Sequence, residues 1–261
     1  MYDFHLHSRV SFDGRDTALN MANAAVAAGL REICFTDQKD YDPLDAAHKL
    51  DFELSNYNKE YDDLQVPGLI IRKGFEFGML PDNAAQFHKD VNCRYWDFVI
   101  GSVHFVDGLD VYFPEYWQDK TSYQAILRSF EETLQCVRIH DDFDVLGHLT
   151  YLGKCGGNPE KVPILYADYR DVVDEIFRIL ISKGKGIEIN TSGLERCGAL
   201  LPDADYLRRF KELGGQIVTV GSDAHHSNRV GQYCTEAIRL VQEVFGYVCT
   251  FADRKPQFHT L

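Results

Sequence analysis

The chain has 261 residues and carries 40 Asp and Glu against 27 Lys and Arg, a formal charge of -13. That balance argues against a partner that attracts basic patches, whether a nucleic-acid backbone or an anionic membrane surface. Hydrophobic content of 45% is ordinary for a globular protein and leaves enough apolar material for one α/β domain over residues 1–261.

Seven cysteines, at 34, 93, 136, 155, 197, 234 and 249, are widely spaced and form no Cys-x-x-Cys pair. They read as reduced thiols, neither a disulfide framework nor a thiolate zinc site. No run approaches the ~18 apolar residues of a membrane span. The chain opens without a basic-then-apolar leader, so a cytoplasmic location is expected. Oligomeric state is not readable.

In chain order, the pattern predicts a strand over residues 2–6 and a helix from Arg15 to Leu30. Ala18, Met21, Ala22, Ala25, Val26 and Ala28 line that helix's buried side and Gly29 stops it. A second strand runs from Glu32 to Thr36. From Pro43 to Leu64 the pattern is helical but polar, a surface excursion. A strand over Gly68–Glu76, a short helix over Asn83–Asn92 and a strand over Phe98–Val103 follow. A loop rich in Asp, Gly and aromatics then extends to Asp119.

Tyr123 to His140 is amphipathic, with Ile126, Phe130, Leu134 and Val137 at three- and four-residue steps. Then come a strand over Phe143–Leu146, a helix over Tyr166–Ser182, a strand over Gly186–Ile189 and a helix over Asp203–Leu213 opened by an Asp cap. A strand over Gln216–Val220 and a helix over Val230–Phe245 close the set. Strict alternation of strand and helix means a parallel sheet.

Polar ligands recur where apolar strands end: His5-Leu-His7, Thr36-Asp37-Gln38, Glu76, Ser102-Val-His104, Gly147-His148 and Gly221-Ser-Asp223-Ala-His225. His5 and His7 stand two apart on a strand and so share a face. Imidazoles and carboxylates gathered at strand tips are ligands for Zn, Mn or Fe. This placement favours a closed barrel with its site at the C-terminal ends of the strands. An open doubly wound sheet is the alternative, but no Gly-x-Gly-x-x-Gly follows the first strand.

These motifs, in this order over essentially the whole chain, resemble the signature of the polymerase-and-histidinol-phosphatase (PHP) superfamily. Phe98-Val-Ile-Gly-Ser-Val-His104, Phe143-Asp-Val-Leu-Gly-His148 and Glu188-Ile-Asn-Thr-Ser-Gly193 further resemble its stand-alone histidinol-phosphate phosphatase branch. The resemblance implies a distorted (β/α)7 TIM-like barrel. It also implies two or three divalent metal ions and hydrolysis of L-histidinol phosphate to L-histidinol and phosphate in histidine biosynthesis.

It further implies that His5, His7, Glu76 and Asp223 hold a first metal and that Glu76, His104 and His148 hold a second. Asp13, Gln38 and His225 would hold a third. Here the sequence departs from the family, which usually has His where Gln38 stands, and an amide oxygen is a poorer transition-metal ligand.

Two divalent ions can acidify a bridging water for in-line attack on phosphorus. Asp13 and His225 are the expected aids to the leaving alkoxide, and no phosphoenzyme motif (Asp-x-Asp-x-Thr/Val or Cys-x5-Arg) is present. Arg196 and Lys154 are candidate phosphate ligands, and Asp37 is expected to orient a metal ligand from behind. His226 is read as a non-ligand, and His48, His88, His140 and His259 as surface residues. Two alternatives stay open: a related phosphoesterase acting on a nucleotide or another ester, and a metal-binding module without catalysis.

Overall fold

The computed structural model describes residues 1–41 and 50–261. His48 and the start of the helix expected from Pro43 lie outside the described residues.

In chain order the elements are β1 (Tyr2–Leu6), α1 (Ala18–Ala27), β2 (Glu32–Phe35), β3 (Gln38–Lys39), α2 (Leu54–Tyr61), β4 (Ile70–Gly78), α3 (Ala84–Val91) and β5 (Phe98–Ser102). Next come β6 (Phe105–Val106), β7 (Leu109–Asp110), α4 (Pro114–Trp117), α5 (Ser122–Ile139), β8 (Val145–Leu146), α6 (Arg170–Ser182) and β9 (Gly186–Asn190). The chain ends with α7 (Ala204–Glu212), β10 (Val218–Gly221), α8 (Cys234–Phe245), β11 (Tyr247–Ala252) and β12 (Lys255–Thr260).

Seven strands pair side by side in the order β1-β2-β4-β5-β8-β9-β10, all parallel, and β3 adds to β4 beyond the end of β2. The edges meet through one parallel bridge, Leu6 to Ala224, with Asp223 N donating to His5 O at 2.8 Å and His7 N to Ala224 O at 3.0 Å. The sheet is therefore a nearly closed, irregular barrel wrapped by helices, the distorted TIM-like barrel the sequence pointed to.

Several boundaries differ from the sequence reading. The first helix begins at Ala18, because Thr17 caps it and the preceding residues fold into a loop. Val26 and Ala28 are exposed, not on its buried side. The helix expected from Tyr166 begins at Arg170 after a 3-10 turn, and the one expected from Val230 begins at Cys234. His140 is buried, not at the surface: its Nε2 lies 2.8 Å from Leu80 O and its ring packs on Phe87. His259 is half-buried and stacks on Tyr2.

The largest of the elements absent from the sequence reading is the antiparallel hairpin β11–β12; β3, β6–β7 and α4 are short additions. Phe4 of β1, Cys34 of β2, Phe98 and Ile100 of β5 and Val145 of β8 form one buried cluster with Phe251 of β11. Strands that are not neighbours in the sheet can share such a cluster only across the barrel interior. Phe251 meets Phe98 at 4.8 Å. The hairpin turn is fastened where β5 and β8 begin, with Arg254 Nε donating to Asp144 Oδ2 at 2.6 Å and Arg254 N to Asp97 O at 2.9 Å. The hairpin thus plugs the N-terminal mouth of the barrel, leaving the C-terminal mouth for the polar residues.

Phe251→Ala should remove this plug and lower stability by about 3–5 kcal/mol, the usual cost of Phe-to-Ala in a core. In urea unfolding the midpoint should fall with little change in slope.

Candidate metal centre

The C-terminal mouth gathers His5 from β1, His7 just past it, Glu76 from β4, His104 and His148 after β5 and β8, and Asp223 and His225 after β10. All but His225 are buried. Glu76 sits at the centre. Its Oε2 lies 3.1 Å from His5 Nε2 and 3.4 Å from His7 Nε2, and Asp223 Oδ1 lies 3.7 and 3.3 Å from the same two nitrogens. Its Oε1 lies 3.0 Å from His148 Nε2 and 3.7 Å from His104 Nε2, which are 3.4 Å apart. One carboxylate thus joins two sets of donors, one on each oxygen.

These spacings fit metal ligation. Four donors at ~2.0–2.1 Å from a tetrahedral ion are separated by ~3.3–3.4 Å along each edge. His7 Nε2 is buried and has no hydrogen-bond partner among the described residues, and neither has Asp13 Oδ1. An orphaned buried imidazole nitrogen is costly unless something fills its lone pair, which a divalent cation does. A third group gathers His7, Asp13 and His225, with His225 Nε2 2.7 Å from Asp13 Oδ2 and the rings of His7 and His225 stacked at 4.2 Å.

Gln38 lines the same cavity as Asp13 and His225, with which the sequence reading grouped it. Its amide nitrogen lies 2.5 Å from Asp40 Oδ2 and 3.0 Å from His104 Nδ1, and His7 is the imidazole that stands with Asp13 and His225. Asp40 follows Gln38 by two residues, so the two side chains share a face and the amide meets that carboxylate.

Two residues outside the expected set orient the imidazoles. Glu188 of β9 accepts from His5 Nδ1 at 2.6 Å and from His148 N at 2.8 Å; Asp40 lies 3.0 Å from His104 Nδ1. Each holds one ring nitrogen so that Nε2 faces the cluster. Both had a signal in the sequence: Glu188 is a carboxylate inside an otherwise apolar strand, and Asp40 shares a face with Gln38. Gly221 is required beside them, since a Cβ there would lie 2.3 Å from His5 Cβ and 2.4 Å from Glu188 Oε1.

Asp37 accepts from Ser8 N at 2.7 Å, from Ser11 N at 3.2 Å and from the Tyr61 hydroxyl. Among the described residues it hydrogen-bonds to no imidazole; it braces the loop after His7, whose Ser11 Oγ lies 3.4 Å from His7 Nδ1. Burial pushes its carboxyl up to about 7. Asp223 stands at φ 57°, a left-handed backbone uncommon outside glycine, which aims its carboxylate into the mouth.

A cavity of about 750 Å³ opens above the cluster, lined by Asp13, His104, Lys154, Arg196, Asp223 and His225 among others. Lys154 Nζ donates to Asp223 Oδ2 at 2.5 Å and to Ser192 Oγ at 2.7 Å. Arg196 is exposed and donates to the Tyr112 hydroxyl at 3.2 Å. His226 lines the same cavity from its exposed rim but belongs to no candidate metal group.

The charges are strongly coupled. Burial would lower His5, but Glu188, Glu76 and Asp223 outweigh it and hold the imidazolium well above its ordinary range. Against the same opposition Asp40 pushes His104 up to about 9. His225, raised chiefly by Asp13 against its own burial, in turn holds Asp13 at about 2. Without metal, these imidazoles therefore keep protons at neutral pH that a cation must displace. Calorimetric zinc titration in buffers of different ionisation enthalpy should show proton release at pH 7. The release should shrink as pH rises through about 9, where His104 is already neutral.

The PHP domain model matches residues 3–192. The chain is 31% identical to the histidinol-phosphatase of Lactococcus lactis, covering 97% of this chain and 95% of that protein. It is 29% identical to a probable histidinol-phosphatase of Clostridium acetobutylicum, covering 93% of each. Among solved structures, the Lactococcus lactis histidinol phosphate phosphatase complexed with zinc, L-histidinol and phosphate superposes with a TM-score of 0.88 at 29% identity, over 98% of both chains. The barrel, the strand-tip ligands and the match over most of its length place this chain in the PHP domain family.

Proposed function

We propose that the chain is a metal-dependent phosphomonoesterase that hydrolyses L-histidinol phosphate to L-histidinol and phosphate, a step of histidine biosynthesis in the cytoplasm. The observation that carries the reading is Glu76, whose two oxygens each face a separate set of imidazoles. His5, His7, Glu76 and Asp223 would hold one ion, and Glu76, His104 and His148 a second. Asp13 and His225, with His7 in reach, offer a third position. Bound there, divalent ions such as Zn, Mn or Fe would supply an acidified water and charge to balance the phosphoryl oxygens.

The remaining work falls to this chain's side chains. Glu188 and Asp40 keep the Nε2 atoms of His5 and His104 directed at the cluster. Lys154 and Arg196 stand at the cavity wall as partners for the phosphoryl oxygens. Where no third ion is held, the Asp13–His225 pair, joined through His225 Nε2, stands at the cavity as the proton source for the departing alkoxide. Tyr151 packs on the rings of His104 and His148 and shields that side from water. The cavity is of a size for a small ester, within the few hundred to ~1,000 Å³ usual for small-molecule sites.

The test is steady-state phosphate release from histidinol phosphate with added zinc or manganese. The chain should be active and lose activity on chelation. Glu76→Gln should lose several kcal/mol of charge stabilisation, roughly a thousandfold in rate. Gln38→His belongs in the same assay: an inert chain beside an active Gln38→His variant would favour a metal-binding module over an enzyme.

A further inference from the structure

The cations that line the cavity differ in what already holds them. Lys154 is committed to Asp223 and Ser192, Arg196 to the Tyr112 hydroxyl and Arg229 to Glu195. Arg15 is the exception. Its side chain is exposed and lines the cavity, and among the described residues its guanidinium has no carboxylate or hydrogen-bond partner.

Its backbone, by contrast, is fixed. Arg15 N donates to His225 O at 3.0 Å, and on either side Gly14 N donates to Ser11 O at 3.2 Å and Arg9 N to Asp16 O at 2.8 Å. Ser227 N donates to Asp16 Oδ2 at 2.7 Å, tying the same loop to the segment after β10. The turn is tight enough to demand glycine before Arg15: a Cβ on Gly14 would lie 1.7 Å from Ser8 O. This loop also carries Asp13, whose carboxylate meets His225. A free guanidinium is thus anchored by its main chain beside the Asp13–His225 pair, at the mouth of a cavity read as a phosphate-ester site. A planar fork of donors suits two phosphoryl oxygens at once.

We propose that Arg15 docks the phosphoryl group of the substrate on the Asp13–His225 side of the cavity, a specificity role that rests on the phosphatase reading. The residue gains its partner only when the ester or its phosphate product arrives, so its contribution is to binding. A rim guanidinium of this kind also acts as a point of first capture for a dianion, because it can pair at once, before Lys154 and Arg196 exchange their present partners for the phosphoryl oxygens.

The experiment measures inorganic phosphate binding to the zinc-loaded protein by calorimetry, together with KM and kcat for histidinol phosphate. The chain, Arg15→Ala, Arg15→Lys and Arg229→Ala are compared, with thermal melting as a check that each variant is folded. Arg15→Ala should weaken phosphate about tenfold, ~1.4 kcal/mol, and raise KM by a similar factor with kcat within about twofold. Arg15→Lys should recover part of the loss, since it keeps the charge but not the fork. Arg229→Ala should change phosphate affinity by less than about twofold. Unchanged phosphate affinity in Arg15→Ala, or equal losses in Arg15→Ala and Arg229→Ala, would overturn the role of Arg15 while leaving the phosphatase reading intact. A zinc-loaded chain that neither binds phosphate nor cleaves the ester would overturn both.

Discussion

A carboxylate buried to 1% exposure, with four imidazoles around it, is the constraint from which the rest of this structure follows. An unpaired carboxylate at that depth would cost several kcal/mol or neutralise itself. Instead burial, which opposes ionisation, is outweighed by His5, His148 and His104, and Glu76 stays ionised far below its ordinary range. That balance works only if each ring presents the correct nitrogen. Glu188 and Asp40 are themselves buried charges whose place in the fold is explained by the imidazoles they hold.

The barrel divides its labour along its axis. At the N-terminal end, side chains from β1, β2, β5 and β8 form a dry interior cluster completed by Phe251. At the C-terminal end, the same strands deliver His5, His104 and His148, with Ser102 Oγ donating to Glu76 Oε1 at 2.7 Å. Strand length sets the transition: a β-strand advances ~3.3 Å per residue, so only a few residues separate Phe98 and Ile100 from His104. A packed apolar base gives the polar tips a rigid platform, which catalytic geometry requires.

Much of this was legible in the residues. Seven apolar runs alternating with amphipathic segments specify the barrel, because both periods are written in the chain. His5 and His7 announced themselves by their spacing, and Glu76, His104, His148 and Asp223 by ending strands. What escaped depends on contacts between distant residues. Glu188 reads as part of a strand until His5, 183 residues away, is seen against it. The contact of the Gln38 amide with Asp40 is likewise not written in the motif that Gln38 ends. The β11–β12 hairpin has exposed and half-buried residues along β12, so its alternation is weak, and its reason for existing is an opening that the sequence does not display.

The seam between β1 and β10 has a consequence for the durability of the fold. Its main-chain joint is a single bridge, Leu6 to Ala224, reinforced by Ser222 N donating at 2.8 Å to Asp3, 219 residues away along the chain. The donors of the first metal group straddle that joint, His5 and His7 on one side and Asp223 on the other. An ion gripping both sides would rivet the two ends of the sheet together. On the chain-entropy scale used for covalent cross-links, closing a loop of that length is worth roughly 5 kcal/mol. Metal supply would then govern the lifetime of the folded barrel as well as its chemistry, and a metal-starved molecule would come apart first where its beginning meets its end.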